Sequence, residues 1–183
     1  MSAAQKAERH EAERDAVRAV KLIKTNYASW CLIVLFLYYN IDRWTPLGKW
    51  NGEYHWPVHN DQFYLDLVVG LIVLGAFLGF WLHARVAMIL GTVLLGLWTY
   101  LHLQTWWLPY FQGVTSPRSM AFHEQFLAHT QVLPRYGSHI PPDAEHTFID
   151  VFVFPTFLLC LIATIQSFLG SRGNADHATT ATR

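Results

Sequence analysis

One stretch of the chain, residues 98–110 (WTYLHLQTWWLPY), places a histidine, a glutamine and several aromatic rings in an apolar setting. Trp98, His102 and Trp106 are spaced four residues apart, so on a helix they share one face. Polar side chains inside a membrane span are costly and usually face a bundle interior or a wet cavity. The spacing therefore predicts that His102 faces other helices and belongs to a site between them.

Polar groups also occur in the other apolar segments, at positions that a helical bundle would bring to the same end. Asp66 lies about one turn inside one such segment, and His146 and Asp150, four residues apart, share a face at the start of another. We expect these groups to converge on one pocket. The predicted catalytic residues are Asp66, His102, His146 and Asp150. The predicted ligand-binding residues around them are Tyr38, Tyr39, Asp42, Trp98, Gln104 and Trp106.

A metal site is one interpretation of this set, because helical bundles build metal sites from histidines and carboxylates on facing helices. The candidate ligands are His102, His146, Asp150 and Asp66, a nitrogen and oxygen set that suits zinc, iron or manganese. The sequence contains no H-E-x-x-H or E-x-x-H motif. Haem is a variant in which His102 and His146 act as axial ligands, and that single pair is its only support.

Two other interpretations stay open. In metal-free acid–base chemistry, Asp66 or Asp150 and His102 would exchange protons with a lipophilic substrate in an aromatic-walled pocket. In the structural interpretation, the same side chains form hydrogen bonds that fix helix register. The protein would then be a non-catalytic accessory or assembly subunit of a larger membrane complex.

The composition indicates a membrane protein. Only 14% of the 183 residues are charged and 52% are hydrophobic, whereas soluble domains contain about 25% charged residues. Four apolar segments, about 27–43, 62–82, 86–108 and 147–169, are long enough to cross a bilayer. We therefore predict an all-α integral membrane protein with four transmembrane helices in an antiparallel bundle.

The segments outside the spans have distinct compositions. A charged N-terminal helix, 1–25, precedes the membrane domain, 26–170, and a disordered polar tail follows at 171–183. The predicted external loops are 44–61, which contains His55 and His59, and 109–146. Ser116 and Pro117 indicate the start of a short amphipathic external helix, and Asp143 is a candidate N-cap for the last span. The loop histidines expected to be exposed are His123, His129 and His139.

Charge asymmetry predicts the orientation. With four spans, nine Lys and Arg residues fall on the side of the termini and four on the other side. This distribution favours both termini in the cytoplasm of a multi-pass cell-membrane protein. The predicted pocket then lies at the extracytoplasmic end of the bundle.

The remaining features restrict the partners. No basic stripe suggests nucleic acid, and Cys31 and Cys160 lack the C-x-x-C spacing of a thiol-redox enzyme. The expected partners are the lipid bilayer and a small lipophilic molecule. A homo-oligomer through the glycine face of the second span, with Gly75 and Gly79, or a larger membrane complex would also fit.

Overall fold

A computed structural model describes residues 3–51 and 61–180, and within these ranges the chain is all-helical. The α-helices are α1 (Ala3–Trp44), α2 (Asp61–Trp81), α3 (Arg85–His102), α4 (Leu108–Gln112), α5 (Pro117–Glu124) and α6 (Ala144–Thr180). Two short 3-10 helices, Gly48–Trp50 and Gln125–Ala128, and a π-helix, Leu103–Trp107, complete the elements. The described ranges contain no strand, only an isolated bridge between Tyr136 and His139. His55 and His59 lie outside the described residues.

Three helical segments are long and apolar enough to cross a membrane. They are Phe63–Trp81, Arg85–Gln112 and Ala144–Leu169, with mean hydropathies of 2.2, 1.8 and 2.3. They match the second, third and fourth predicted spans. The first predicted span, 27–43, is not among the segments found in the described part of the chain. The all-helical class and three apolar helices are confirmed. The span at 27–43, and with it the total of four spans, stays a prediction.

Several helices extend further than the sequence suggested. The predicted N-terminal helix and first span form one continuous α1, because no proline or glycine occurs between Ala3 and Trp44. The helix that begins with α3 continues past Pro109 to Gln112. The predicted disordered tail is helical as far as Thr180, since no proline follows Pro155.

The long helices pack in a ring, in which α1 and α3 each contact both α2 and α6. Leu32 and Leu35 of α1, Phe80 of α2, Leu95 of α3 and Val153 of α6 are fully buried in the common core. Many apolar side chains on the opposite faces of these helices are exposed. An apolar outer surface of this kind is compatible with lipid rather than water around the helices.

Small residues set the close approach of α2 and α3. A Cβ added at Gly91 would lie 2.8 Å from the Ala76 Cβ, and one added at Gly79 would lie 2.6 Å from the Ala87 Cβ. A Cβ added at Gly75 would meet no atom within 4 Å. Of the predicted glycine pair, Gly79 therefore packs against α3 within the chain, and Gly75 lies on an open surface.

We predict that Gly91→Ala destabilises the protein and that Gly75→Ala does not. The new methyl group at position 91 collides with Ala76, and overpacking costs typically about 1–3 kcal/mol, whereas alanine in an open helical position gains up to about 1 kcal/mol over glycine. Unfolding of the two variants in detergent, compared with the unmodified chain, measures both effects. A loss of stability at position 75 would contradict the prediction and would indicate that this face packs against another chain.

Candidate functional site

Buried polar side chains concentrate at one end of the helices. They lie where α1 ends, α2 begins, α3 passes into the π-helix and α6 begins. Asp42, Asp66, Asp143, Glu145 and Asp150 are all almost completely buried there. Carboxylates in such an environment require partners, because an unpaired buried charge is strongly destabilising.

Asp66 of α2 has its partner on α1. The Tyr39 hydroxyl donates a hydrogen bond to Asp66 Oδ1 at 3.0 Å. The Tyr39 ring packs edge-on against the Trp98 ring of α3, with the ring centroids 5.6 Å apart. Tyr39 therefore joins three helices through one hydroxyl and one ring.

His102 connects α3 to α6. The Trp98 indole N–H donates to His102 Nε2 at 2.7 Å, so Nε2 acts as an acceptor and the ring proton of neutral His102 lies on Nδ1. His102 Nδ1 lies 2.6 Å from Asp150 Oδ1, although the two atoms are not aligned as a hydrogen bond. Asp150 Oδ2 accepts a hydrogen bond from Trp107 Nε1 at 2.6 Å. The buried Asp150 carboxylate is thus contacted by two side chains, His102 and Trp107, that follow each other along one helical segment.

The π-helix makes this double contact feasible. In a regular α-helix, His102 and Trp107 would be about 140° apart around the axis, because there are 3.6 residues per turn. The wider π turn, in which the Leu108 N–H bonds to the Leu103 carbonyl, brings residues five apart closer to one face. Pro109 favours this widening, because its ring clashes with the carbonyl of Thr105 and it has no N–H to donate to it.

Asp143 is the centre of a second cluster. Its Oδ1 accepts from the His146 backbone N–H at 3.0 Å and lies 2.6 Å from His146 Nδ1. Its Oδ2 lies 2.6 Å from His129 Nδ1. Burial raises the pKa of the Asp143 carboxyl, but the hydrogen bonds from His146 and His129 outweigh burial and hold its pKa below the ordinary value. The predicted N-cap role of Asp143 is confirmed.

Arg43 supplies the positive charge beside this cluster. Its guanidinium pairs with Glu145, and its Nε lies 3.8 Å from Asp42 Oδ2. The guanidinium also lies over the Tyr39 ring, 5.7 Å from its centroid. Arg43 therefore connects the second cluster to the Tyr39 and Asp66 pair.

Trp106 is enclosed by aromatic rings and histidines. Its ring centroid lies 3.8 Å from that of His146, 4.8 Å from Phe126 and 5.4 Å from His123. Burial lowers the pKa of His123, and the nearby His146 imidazole lowers it further. The expectation that His123 is exposed is wrong, because α5 folds its side chain beneath Trp106.

The first cluster comprises Tyr39, Asp66, Trp98, His102 and Asp150. A cavity of about 290 Å³ opens beside it, between α2 and α3. Its polar lining comes from Tyr39, Arg43, Asp66 and His102, and Trp98 adds an aromatic wall. The rest of the lining is aliphatic: Leu65, Val69, Ile72, Leu94, Leu97, Leu101 and Ile149. The three aliphatic side chains that decide access, Leu65, Leu97 and Leu101, are 56%, 52% and 50% exposed, so the cavity opens sideways between the helices.

The structure brings part of the predicted site together. Asp66, His102, Tyr39 and Trp98 line the cavity, and Asp150 contacts His102 from behind. His146 lies in the neighbouring cluster, with its ring centroid 6.0 Å from that of His102.

Four predicted ligand-binding residues lie outside the cavity lining. Trp106 covers His146, and Asp42 is buried beside Arg43. Tyr38 packs on Phe152, and Gln104 is exposed on the outer surface.

The predicted metal ligands do not form one compact group. Within the described ranges, the group of three whose ligand atoms all lie within 4.8 Å of one another is His129, Asp143 and Glu145. The sequence did not lead us to predict these three residues as metal ligands, or Arg43 as part of the site. The available signal was the D-A-E-H run at residues 143–146, which puts three ionisable groups in the first turn of an apolar helix.

No known protein-family model, curated protein or solved structure matches this chain. The functional argument therefore rests on the geometry of the two clusters and the cavity.

We predict that Asp150→Ala destabilises the protein by about 1–3 kcal/mol, because it leaves the buried Trp107 indole N–H without its acceptor. It also removes the carboxylate that lies beside His102 Nδ1. Asp150→Asn keeps one carbonyl acceptor, so its stability should lie between those of the unmodified chain and Asp150→Ala. The matched control is Glu124→Ala, which removes an exposed carboxylate 3.5 Å from Arg135 and should cost less than about 1 kcal/mol. Unfolding in detergent followed by tryptophan fluorescence measures the series, and equal stability of Asp150→Ala and Glu124→Ala would contradict it.

Proposed function

We propose that this chain is a multi-pass membrane protein that takes a small lipophilic molecule from the bilayer into the cavity between α2 and α3. The observation that carries the proposal is the division of the cavity lining. Exposed leucines form its opening, and Tyr39, Asp66 and His102 form its polar interior. Ligand sites combine a mainly apolar lining with a few placed polar groups in this way.

The position of the opening favours a ligand that arrives through lipid. Leu65 of α2 and Leu97 and Leu101 of α3 belong to two of the three helices that are long and apolar enough to cross a membrane. A ligand entering between them would exchange lipid contacts for protein contacts along its apolar body. At about 290 Å³, the cavity is at the lower limit of ordinary ligand pockets, which are about 300–1,000 Å³. It therefore suits a compact ring system or a short chain.

The polar interior suits a ligand with one hydroxyl or carbonyl group. A ligand hydroxyl can donate to His102 Nε2 in place of the Trp98 indole, and a ligand carbonyl can accept from Arg43 or Tyr39. Asp150 lies against His102 Nδ1 and would stabilise His102 if Nε2 took a proton. If the protein is an enzyme, this arrangement favours acid–base catalysis, in which His102 exchanges a proton with the bound molecule.

The proposal includes α1 as a fourth span, 27–43, in an antiparallel bundle. Buried Ala28, Leu32, Leu35 and Tyr39 form the packed face of this segment. The opposite face is also apolar and exposed, formed by Tyr27, Trp30, Val34, Leu37 and Ile41. A helix apolar all round is typical of a membrane span. Together with the excess of Lys and Arg near the termini, this favours both termini in the cytoplasm of a cell-membrane protein.

The topology predicts that reporters at the two ends behave alike. A fluorescent protein that folds only in the cytoplasm should be active when fused before Met1 or after Arg183. A phosphatase that folds only outside the cytoplasm should be active in the loop at Gly113 and inactive after Arg183. Opposite results for the two termini would show an odd number of spans and would overturn the place of α1 in the bilayer.

The ligand proposal predicts that a lipophilic molecule copurifies with the protein and that Leu97→Trp reduces its amount at least tenfold. Leu97 lines the cavity, so the indole occupies the space of the ligand. The matched control is Leu90→Trp, which changes the same residue type two turns earlier on the same face of α3, at an exposed position that does not line the cavity. Mass spectrometry of organic extracts from the purified variants gives the ratio.

Two results of this measurement would contradict ligand binding. One is an extract from the unmodified chain that contains only the bulk membrane lipids also found with an unrelated protein. The other is equal loss in Leu97→Trp and Leu90→Trp. Either result would favour the alternative, an accessory subunit in which the polar groups serve only to join helices.

A further inference from the structure

We infer that the start of α6 and the segment before it bind one divalent transition-metal ion through His129, Asp143 and Glu145. One ligand atom from each of these residues lies within 4.8 Å of the other two. The site is distinct from that of the lipophilic ligand, because none of the three residues lines the cavity between α2 and α3. It also differs from the set predicted from the sequence.

The backbone holds these ligands in place. His129 directly follows the 3-10 helix Gln125–Ala128. The next residue, Thr130, donates its N–H to the Lys49 carbonyl at 2.6 Å and accepts from the Ala144 N–H at 2.7 Å. The loop after α1, the segment at Thr130 and the first turn of α6 are thereby joined. Ligands on a fixed backbone lose little conformational freedom when an ion binds.

The local charge favours a cation. Asp42, Asp143 and Glu145 are 1%, 0% and 3% exposed, and the ion pairs within the described ranges give them one guanidinium, that of Arg43. The N-terminal end of α6 adds roughly half a positive charge. Three ionised carboxylates would then leave an excess of about one and a half negative charges in a buried place, which an ion or protonation must offset.

Asp42 supplies an observation independent of the three ligands. Both of its carboxylate oxygens are buried, and no donor within the described ranges reaches them with hydrogen-bond geometry, although the Trp50 indole lies nearby. Asp42 lies near enough to Asp143 and Glu145 for electrostatic repulsion between Asp42 and each of these carboxylates. A buried acceptor group without an aligned donor, in the neighbourhood of two further carboxylates, is an arrangement that a bound cation would explain.

The donor set identifies the class of ion. One imidazole nitrogen and two carboxylate oxygens suit Zn²⁺, Mn²⁺ or Fe²⁺, and three protein ligands leave a position for water or for Asp42. His146 Nδ1 lies 2.6 Å from Asp143 Oδ1, and a hydrogen bond of this kind orients a carboxylate that binds a metal through its other oxygen. His129 Nδ1 and Asp143 Oδ2 now lie 2.6 Å apart. Two ligand atoms on a tetrahedral zinc ion are more than about 3 Å apart, so this contact opens as the ion replaces the shared proton.

The test uses the full chain purified in detergent, stripped with a chelator and titrated with ZnCl₂ or MnCl₂. Elemental analysis after removal of free ion should give one equivalent per chain. His129→Asn and Glu145→Gln should each weaken the apparent metal affinity by at least about tenfold. Even mutation of a group that only orients a metal ligand typically lowers metal affinity about 10–100-fold. The matched control is His139→Asn, a change in the same loop whose Nδ1 lies 2.9 Å from the Tyr110 carbonyl, and it should bind as the unmodified chain does.

A spectroscopic measurement protects the test against variants that fail to fold. Co²⁺ added to the stripped, unmodified chain should produce visible absorption bands that Zn²⁺ then removes, and the folded fraction of His129→Asn should lack them. Substoichiometric metal in the unmodified chain, absence of cobalt bands, or equal affinity of His129→Asn and His139→Asn would overturn the inference. The buried charge would then be offset by protons on the histidines or carboxyls.

Discussion

The requirement to partner buried carboxylates organises this protein. Five acidic side chains lie at one end of a helical assembly whose surroundings are apolar, and removing a charge from water costs several kcal/mol unless other groups replace the water. Each long helix contributes to meeting that cost. Tyr39 of α1 bonds Asp66 of α2, and Trp107, just beyond α3, bonds Asp150 of α6. Since these contacts join specific positions along different helices, they also determine the helix register.

The same requirement explains the local irregularity after α3. A uniform α-helix would present His102 and Trp107 on different faces, and Asp150 would keep only one of its two neighbours from this segment. The π turn brings both side chains to the Asp150 carboxylate. Pro109 lowers the free-energy cost of the π turn relative to a regular α turn, in which the proline ring would clash with the Thr105 carbonyl. Pro109, a residue type that usually ends a helix, thus lies inside a helix that continues to Gln112. Single-turn π segments often occur at functional sites for this reason.

The sequence predicts the helices and the polar end better than it predicts the division of that end into two clusters. Spacing alone placed Trp98 and His102 on one face, and position within each apolar segment placed Asp66, His102 and Asp150 at similar depth. Periodicity cannot reveal which of several nearby acceptors a side chain reaches. His146 therefore bonds to Asp143, and Trp106 covers His146 and does not line the cavity. Gln104, in the wide π turn, faces outward, since its direction depends on a turn geometry that the residue pattern does not encode.

Arg43 shows how the two clusters depend on each other. Its guanidinium lines the cavity and pairs with Glu145, so the proposed lipophilic ligand and the proposed ion both act on this one ion pair. An ion on Glu145 weakens the hold of that carboxylate on Arg43 and leaves the guanidinium freer to bind a ligand carbonyl. By linkage, a ligand that draws Arg43 into the cavity makes Glu145 a better metal ligand to the same extent. The two sites would then bind with positive cooperativity, and the coupling would disappear if Arg43 lost its charge.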